Sequence, residues 1–332
     1  MPVQTPTRRT LLVAAPALLA APALAQTRSI GPAPYPDRTV RIIVPFAAGG
    51  ASDTSTRVVA QKLTEVLGQP VVVENRPGAG GTTGVDYVVK GPNDGYTLAL
   101  GGLSMTALAM GLYSRMPYDP VRDLVPISPT VLVPIGIGVR TGLGCNTLAE
   151  FINLLKANPG KYTYGSAGNG SSGHISCVAF LRRTGTEAIH IPYRGSGPVF
   201  NDLLAGTVDF TADSPGLLAP HHPDKVKALV MATEERSSTL PDVPTSAEAG
   251  VPGYKAYSWF GLYGPPGTPQ AVVSRIAEAM RVVLNDPATV NRLDREMGLP
   301  PLRQTPERFA AFLREEIDYW VPIVRASGAR AD

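Results

Sequence analysis

Apolar positions along the chain fall into short runs that alternate with stripes spaced three and four residues apart. The run at 39–46 predicts a strand. Residues 53–67 predict a helix, with Val58, Val59, Leu63, Val66 and Leu67 on one face. A strand at 71–74, a loop at 75–81, a helix at 82–90 and a strand at 96–100 follow. The same grammar then restarts. A helix is predicted at 147–157, a strand at 161–166, a Gly-rich loop at 167–171 and a helix at 172–184. Beyond them come a strand at 189–193, a loop at 195–198, a helix at 199–204 and strands at 210–212 and 227–231. Such repetition predicts α/β architecture with mostly parallel sheets covered on both faces, and the second start favours two sheets. Near the C-terminus, Thr305 suits a helix N-cap and Pro306 the first helical position. Phe309, Phe312, Leu313, Ile317 and Trp320 form that helix's apolar stripe. Pro322 predicts a kink or end near Asp318 and Tyr319, and Gly328 a stop.

Composition narrows the class. The 332 residues are 44% hydrophobic and only 17% charged, enough for a full core and unlike a charged disordered chain. The net charge of +3 excludes a broad basic face for nucleic acid. Two cysteines, Cys145 and Cys177, do not make a disulfide scaffold, though the pair could bridge in an oxidising compartment.

The first 25 residues carry Arg8 and Arg9, an apolar run from Leu11 to Ala20, and an Ala23-Leu24-Ala25 cleavage pattern. That order predicts a removable export signal, and the Arg pair fits the twin-arginine route. Position 26 is Gln rather than Cys, so no lipid anchor is expected. Without the signal the net charge is about +1. The mature protein is expected to be soluble and periplasmic.

Candidate chemistry gathers in two loops. Phe46-Ala-Ala-Gly-Gly-Ala-Ser-Asp53 joins the first strand to its helix, and Gly165-Ser-Ala-Gly-Asn-Gly-Ser-Ser-Gly-His174 does so in the second half. Glycines admit a ligand to the backbone, hydroxyls donate, and helix N-termini attract anions. Each loop also reads as an ordinary turn whose Ser or Asp caps the next helix. Gly168-Asn-Gly-Ser-Ser-Gly173 matches a dinucleotide fingerprint, with Glu187 downstream. An exported α/β enzyme or dinucleotide-binding protein is therefore the alternative reading, although no G-x-S-x-G elbow is present. His221 and His222 stand beside Pro223 without further ligands at metal spacing. His174 could donate to a ligand or brace the loop, Arg194 could supply charge, and Asp213 could accept from a ligand or cap a helix.

Taken together, Tyr35-Pro-Asp-Arg-Thr-Val-Arg-Ile-Ile-Val-Pro-Phe46, Leu67-Gly-Gln-Pro-Val-Val-Val-Glu-Asn-Arg-Pro-Gly-Ala-Gly-Gly81, Asp94-Gly-Tyr-Thr97, Pro117-Tyr-Asp-Pro120, Ile191-Pro-Tyr193 and Leu240-Pro-Asp-Val-Pro-Thr245 resemble the Bug-type substrate-binding proteins of tripartite tricarboxylate transporters. The resemblance implies a two-lobed periplasmic binding protein of the Venus flytrap kind, type II-like, each lobe a mostly parallel sheet flanked by helices. Lobe one would be 35–134 plus 254–332, and lobe two 135–253. It further implies capture of a small organic carboxylate without chemistry or cofactor. The protein would act as a monomer and deliver the ligand to a membrane transporter or sensor component. Ligand contacts would come from Phe46, Ala47, Ala48, Gly50, Ala51 and Ser52; from Ser104 and Met105 after the third strand; from Ser166, Asn169, Gly170, Ser171 and Ser172; and from Tyr193 and Asp213. Ser214 stands where the family often has Asn.

Overall fold

The computed structural model describes residues 1–3, 35–327 and 330. Apart from residues 1–3, the expected export signal lies outside the described residues, as do most of the leader behind it and Gly328.

Ten strands form two five-stranded sheets. The first has the order β2-β1-β3-β10-β4, from β1 (Val40–Val44), β2 (Val71–Asn75), β3 (Thr97–Gly102), β4 (Val125–Pro134) and β10 (Tyr257–Gly264). The second has the order β7-β6-β8-β5-β9, from β5 (Gly136–Arg140), β6 (Thr163–Ser166), β7 (Ile189–Pro192), β8 (Phe210–Asp213) and β9 (Val226–Met231). Each sheet opens with a three-strand parallel unit, β2-β1-β3 or β7-β6-β8, made by the repeated βα grammar. Each then adds two strands through antiparallel pairing, a reversed one (β10 or β5) and an edge strand (β4 or β9) that runs with the parallel unit. Four of the five strands in each sheet share one direction, so the sheets are mostly parallel with one reversed strand apiece. The added strands β4, β5, β9 and β10 are those that carry the chain towards or away from the crossings between sheets.

The helices are α1 (Ala51–Leu67), α2 (Thr82–Val89), α3 (Ala109–Leu112), α4 (Leu148–Ala157), α5 (Ser172–Thr184), α6 (Ser196–Ala205), α7 (Pro215–Leu218), α8 (Gln270–Val283), α9 (Pro287–Val290) and α10 (Pro306–Ser327). They cover both faces of each sheet. In the first, α1 and α8 pack Val59, Leu63, Ile276 and Met280 on one face. On the other, Val85, Leu108 and Leu112 meet Phe309 and Leu313 of α10. Each such fully buried side chain contributes about 1.5–3 kcal/mol. Trp259, on β10, is fully buried and donates through Nε1 to Glu316 at 2.9 Å, while the Tyr257 hydroxyl donates to the other Glu316 oxygen at 2.9 Å. The buried carboxylate of α10 is thus satisfied from the strand beneath it.

Several local expectations change. Helix α6 starts at Ser196, so Gly197 and Pro198 lie in its first turn rather than in a loop. Ser104 and Met105 open a π-helical turn, Ser104–Leu108, rather than an irregular loop. Helix α10 does start after Thr305, whose hydroxyl accepts from the Arg308 amide at 3.3 Å. It runs through Pro322 instead of ending near Asp318. The carbonyl that Pro322 leaves without a partner belongs to Asp318, an exposed residue, so water can satisfy it.

The chain passes between sheets at Ile135 and again between Met231 and Tyr257. The passages are bonded together: Ile135 N–H donates to Ala256 O at 3.2 Å, Ala232 N–H to Ile135 O at 2.8 Å, and Ala256 N–H to Ala232 O at 3.1 Å.

Candidate functional site

The carboxyl ends of β1, β3, β6, β7 and β8 all feed loops that meet between the two sheets, where open α/β sheets hold ligands. The loop after β1 is fastened from beneath by Asp53. That carboxylate accepts from Gly49 N–H at 3.1 Å, Arg57 Nε at 3.0 Å and Asn75 Nδ2 at 2.9 Å. Burial alone would raise its pKa, but these hydrogen bonds outweigh burial and hold it below the ordinary carboxylate range. Asp53 therefore organises the loop, and Gly50, not Asp53, is the N-cap of α1.

The loop after β6 is braced by Ser166 and two histidines. Ser166 Oγ lies 2.7 Å from His190 Nε2 and donates to Gly168 O at 3.1 Å. His174 Nδ1 accepts the Gly170 amide at 3.2 Å, which puts its proton on Nε2. The two imidazoles stack with centroids 4.1 Å apart. Burial pushes His174 down to about 4; burial and the neighbouring ring push His190 down to about 3. Both are neutral braces behind the loop.

Between the loops lies a cavity of about 60 Å³. Its walls include Phe46, Ala51 and Ser52 at the start of α1, Ser104, and Ser171, Ser172 and Gly173 at the start of α5. Ser196 at the start of α6, Asp213, Ser214 and Ser258 complete its polar lining. Three helices of ten or more residues thus aim their first-turn amides and positive dipole ends at one space. A hydroxyl chain crosses it. Ser104 Oγ accepts from Ser172 N–H at 2.9 Å, and Ser172 Oγ donates to Ser258 Oγ at 2.9 Å. Asp213 accepts from Ser214 N–H at 2.7 Å and from the Ser196 hydroxyl, and burial raises its pKa above the ordinary range. The Ser214 hydroxyl, buried beside it, works with these bonds against the effect of burial.

Of the fifteen residues singled out in the sequence, Phe46, Ala51, Ser52, Ser104, Ser171, Ser172 and Asp213 line this cavity. Ser166 and Gly170 support it from behind. Met105 is fully buried, its carbonyl taken by the Tyr118 hydroxyl at 2.6 Å. Ala47, Ala48 and Gly50 meet the facing loop instead: Ala47 N–H donates to Arg194 O at 2.8 Å, an added Cβ on Gly197 would strike Ala48 O, and one on Gly50 would lie 3.3 Å from the Ser196 Cβ. Asn169 and Tyr193 face a second chamber of about 450 Å³. It is walled by Pro77, Gly78, Ala79, Gly80 and Tyr113 on one side, and by Ala167, Gly168, Asn169, Pro192, Tyr193 and Arg194 on the other. Ala167 borders both spaces. Ala79 holds φ +45°, its carbonyl accepting from the Tyr113 and Thr82 hydroxyls at 2.9 and 2.8 Å.

Ser196 and Ser258 were missed. The first hides in a Ser-Gly-Pro stretch that reads as a turn, and the second sits on β10 without any local motif. His221 packs on Phe200 and His222 accepts from the Ala228 amide at 3.2 Å. Among the described residues no cluster of three or more metal-ligating side chains occurs. Cys145 and Cys177 are free thiols, both buried. Two larger hollows, about 480 Å³ against α8 and the start of α10 and about 700 Å³ beside β1 and α2, each involve the first sheet's elements alone. Neither brings together loops from both sheets.

Residues 55–329 match the model of the tripartite tricarboxylate transporter family receptor. The chain belongs to that receptor family. The periplasmic binding protein BugD is 33% identical to this receptor, with a TM-score of 0.86, over 89% of this chain and 99% of BugD. MatC of Rhodopseudomonas palustris, solved with malate, is 33% identical with a TM-score of 0.83, over 87% of this chain and 100% of MatC. Rpa4515 of R. palustris, solved with adipate, is 34% identical with a TM-score of 0.85, over 89% of this chain and 98% of Rpa4515. The receptor is accordingly a solute-binding protein with a two-lobed α/β fold, not an enzyme. In its G-x-G-x-x-G stretch, residues 168–173, the last glycine serves close packing. Gly173 lies against the Ala212 carbonyl, and the Asn169 carbonyl presses on Gly80.

Proposed function

We propose that this receptor captures a small organic carboxylate between lobe one (35–134 plus 254–332) and lobe two (135–253) and presents it to a membrane transporter component. The observation that carries the reading is the convergence of the α1, α5 and α6 N-termini, one from the first sheet and two from the second, on a serine-lined cavity. Amides and hydroxyls fixed in that way stabilise a carboxylate without a cationic side chain. Ligand held by both lobes favours closure, and the closed surface is the signal to the partner. The malate and adipate held by MatC and Rpa4515 support the ligand class.

The contacting residues in this reading are Phe46, Ala51, Ser52, Ser104, Ser171, Ser172 and Asp213, with Ser196, Ser214 and Ser258 added. The receptor works as a monomer in the periplasm, reached through the Arg8-Arg9 signal. Calorimetry against a panel of mono-, di- and tricarboxylates, on protein stripped of copurified ligand by unfolding and refolding, tests the reading. Micromolar or tighter binding of at least one acid is expected. Silence across the panel with a cooperatively folded protein would sink it. Fusion of residues 1–30 to a reporter, in cells with and without a twin-arginine translocase, tests the export route.

A further inference from the structure

We infer that the second chamber is a subsite for the far carboxylate of an extended dicarboxylate, with the Arg194 guanidinium as its partner. The inference rests on the carboxylate reading above and names the ligand class within it.

Two volumes motivate it. The inner cavity of about 60 Å³ offers room on the order of a few water molecules, enough for one head group but not for a whole carbon chain. The outer chamber of about 450 Å³ is in the range of small-molecule sites. Ala167 forms part of the wall of both, so the two spaces are immediate neighbours, and in this proposal the ligand's carbon chain runs past that residue.

Charge supplies the rest. Arg194 is the one charged residue on the chamber's lining, and no acid accompanies it. Its side chain is exposed and makes no hydrogen bond or ion pair with the described residues. By contrast Arg57, Arg140 and Arg281 are each tied to a carboxylate within 3 Å. Only the Arg194 backbone is engaged, its carbonyl accepting from Ala47 across the cleft, which fixes where the side chain starts. A guanidinium presents a planar fork that fits a carboxylate in bidentate fashion. The inner site recognises one carboxylate with neutral donors, so it does not distinguish a monoacid from a diacid. Arg194 would.

The test pairs acids of equal carbon count: succinate with butyrate, adipate with hexanoate, suberate with octanoate. Each is titrated calorimetrically into the full mature receptor, its Arg194→Gln variant and its Arg194→Lys variant. The wild type is expected to prefer the longer diacids over their monoacid partners. Arg194→Gln is expected to collapse that preference about ten- to hundredfold, and Arg194→Lys to restore part of it. An equal loss for monoacids and diacids would overturn the inference, because a general pull of charge at the mouth gives that pattern. So would an unchanged preference, or a wild type that binds succinate and rejects adipate and suberate. A wild type that binds no carboxylate at all would instead defeat the reading of the site on which the inference rests.

Discussion

The Ser104 hydroxyl oxygen lies 2.9 Å from both the hydroxyl and the backbone nitrogen of Ser172, although the two residues are 68 positions apart and belong to different sheets' connections. Ser172 in turn donates to Ser258 on β10. One small side chain at the start of α5 is thus held twice by elements of the opposite sheet.

Removing that hold should cost closure before it costs folding. Ser172→Ala deletes its hydroxyl bonds to both serines; Ser104→Ala strands the Ser172 amide. Each bond is worth about 1 kcal/mol, so carboxylate affinity should fall about three- to tenfold in either variant. The double variant should show less than the sum, because both act on one network. Calorimetry reads the affinity; thermal unfolding of the ligand-free protein should move little.

Gly80→Ala is expected to prop the cleft open. An added Cβ would run into the Asn169 carbonyl oxygen of the facing loop, and φ +61° penalises alanine there by about 1–2 kcal/mol. The clash exists only when the loops meet. Small-angle scattering should therefore find the variant expanded with or without ligand. Compaction equal to wild type would refute the assignment of this contact.

Asp213 should couple binding to protons. Burial already raises its pKa, and a carboxylate bound in the same cavity would raise it further. Binding then takes up a proton, and affinity strengthens as pH falls from the bound form's Asp213 pKa to the free receptor's, below which both forms are protonated. Asp213→Asn removes the charge while keeping the shape. It should flatten the pH profile and raise affinity at neutral pH by roughly tenfold for each unit of ligand-induced shift. Buffers of different ionisation enthalpy would reveal the proton uptake directly.

The stacked histidines predict acid lability. His174 and His190 titrate at about 4 and about 3 when folded, against an ordinary value of 6.5. The unfolded chain binds these protons first. Stability they contribute is complete above 6.5 and is lost as pH falls from there through about 4. His174→Gln, whose amide oxygen can still accept from Gly170, should make the acid limb of the melting temperature shallower.

The βα units were legible because each is local: Val58, Val59 and Leu63 share a face within one helix, and Val40, Ile42, Ile43 and Val44 fall within one five-residue strand. Strand β4 was hidden by Pro126, Pro129 and Pro134, which argue against a central strand. The structure places β4 at the edge of its sheet, where missing donors are tolerated. Strand β10 was hidden for another reason. It inserts between β3 and β4, whose residues lie more than a hundred positions earlier, and it shifts register twice against β4. Ser258 enters the cavity only through that pairing, so no local pattern announces it. The two glycine–serine loops were legible as a pair, but their individual residues were not. Whether a loop residue faces ligand, as Ser172 is read to do, or backs the loop, as Ser166 does, depends on what packs behind it.

The two passages between the sheets are laced at Ile135, Ala232 and Ala256 by backbone hydrogen bonds. Independent tethers would let the halves slide, tilt and rotate. A laced ribbon resists such sliding, so opening of the proposed lobes is expected to follow a single hinge coordinate. Distance labels placed anywhere on the two halves should then change in fixed proportion to one another, whichever acid is bound.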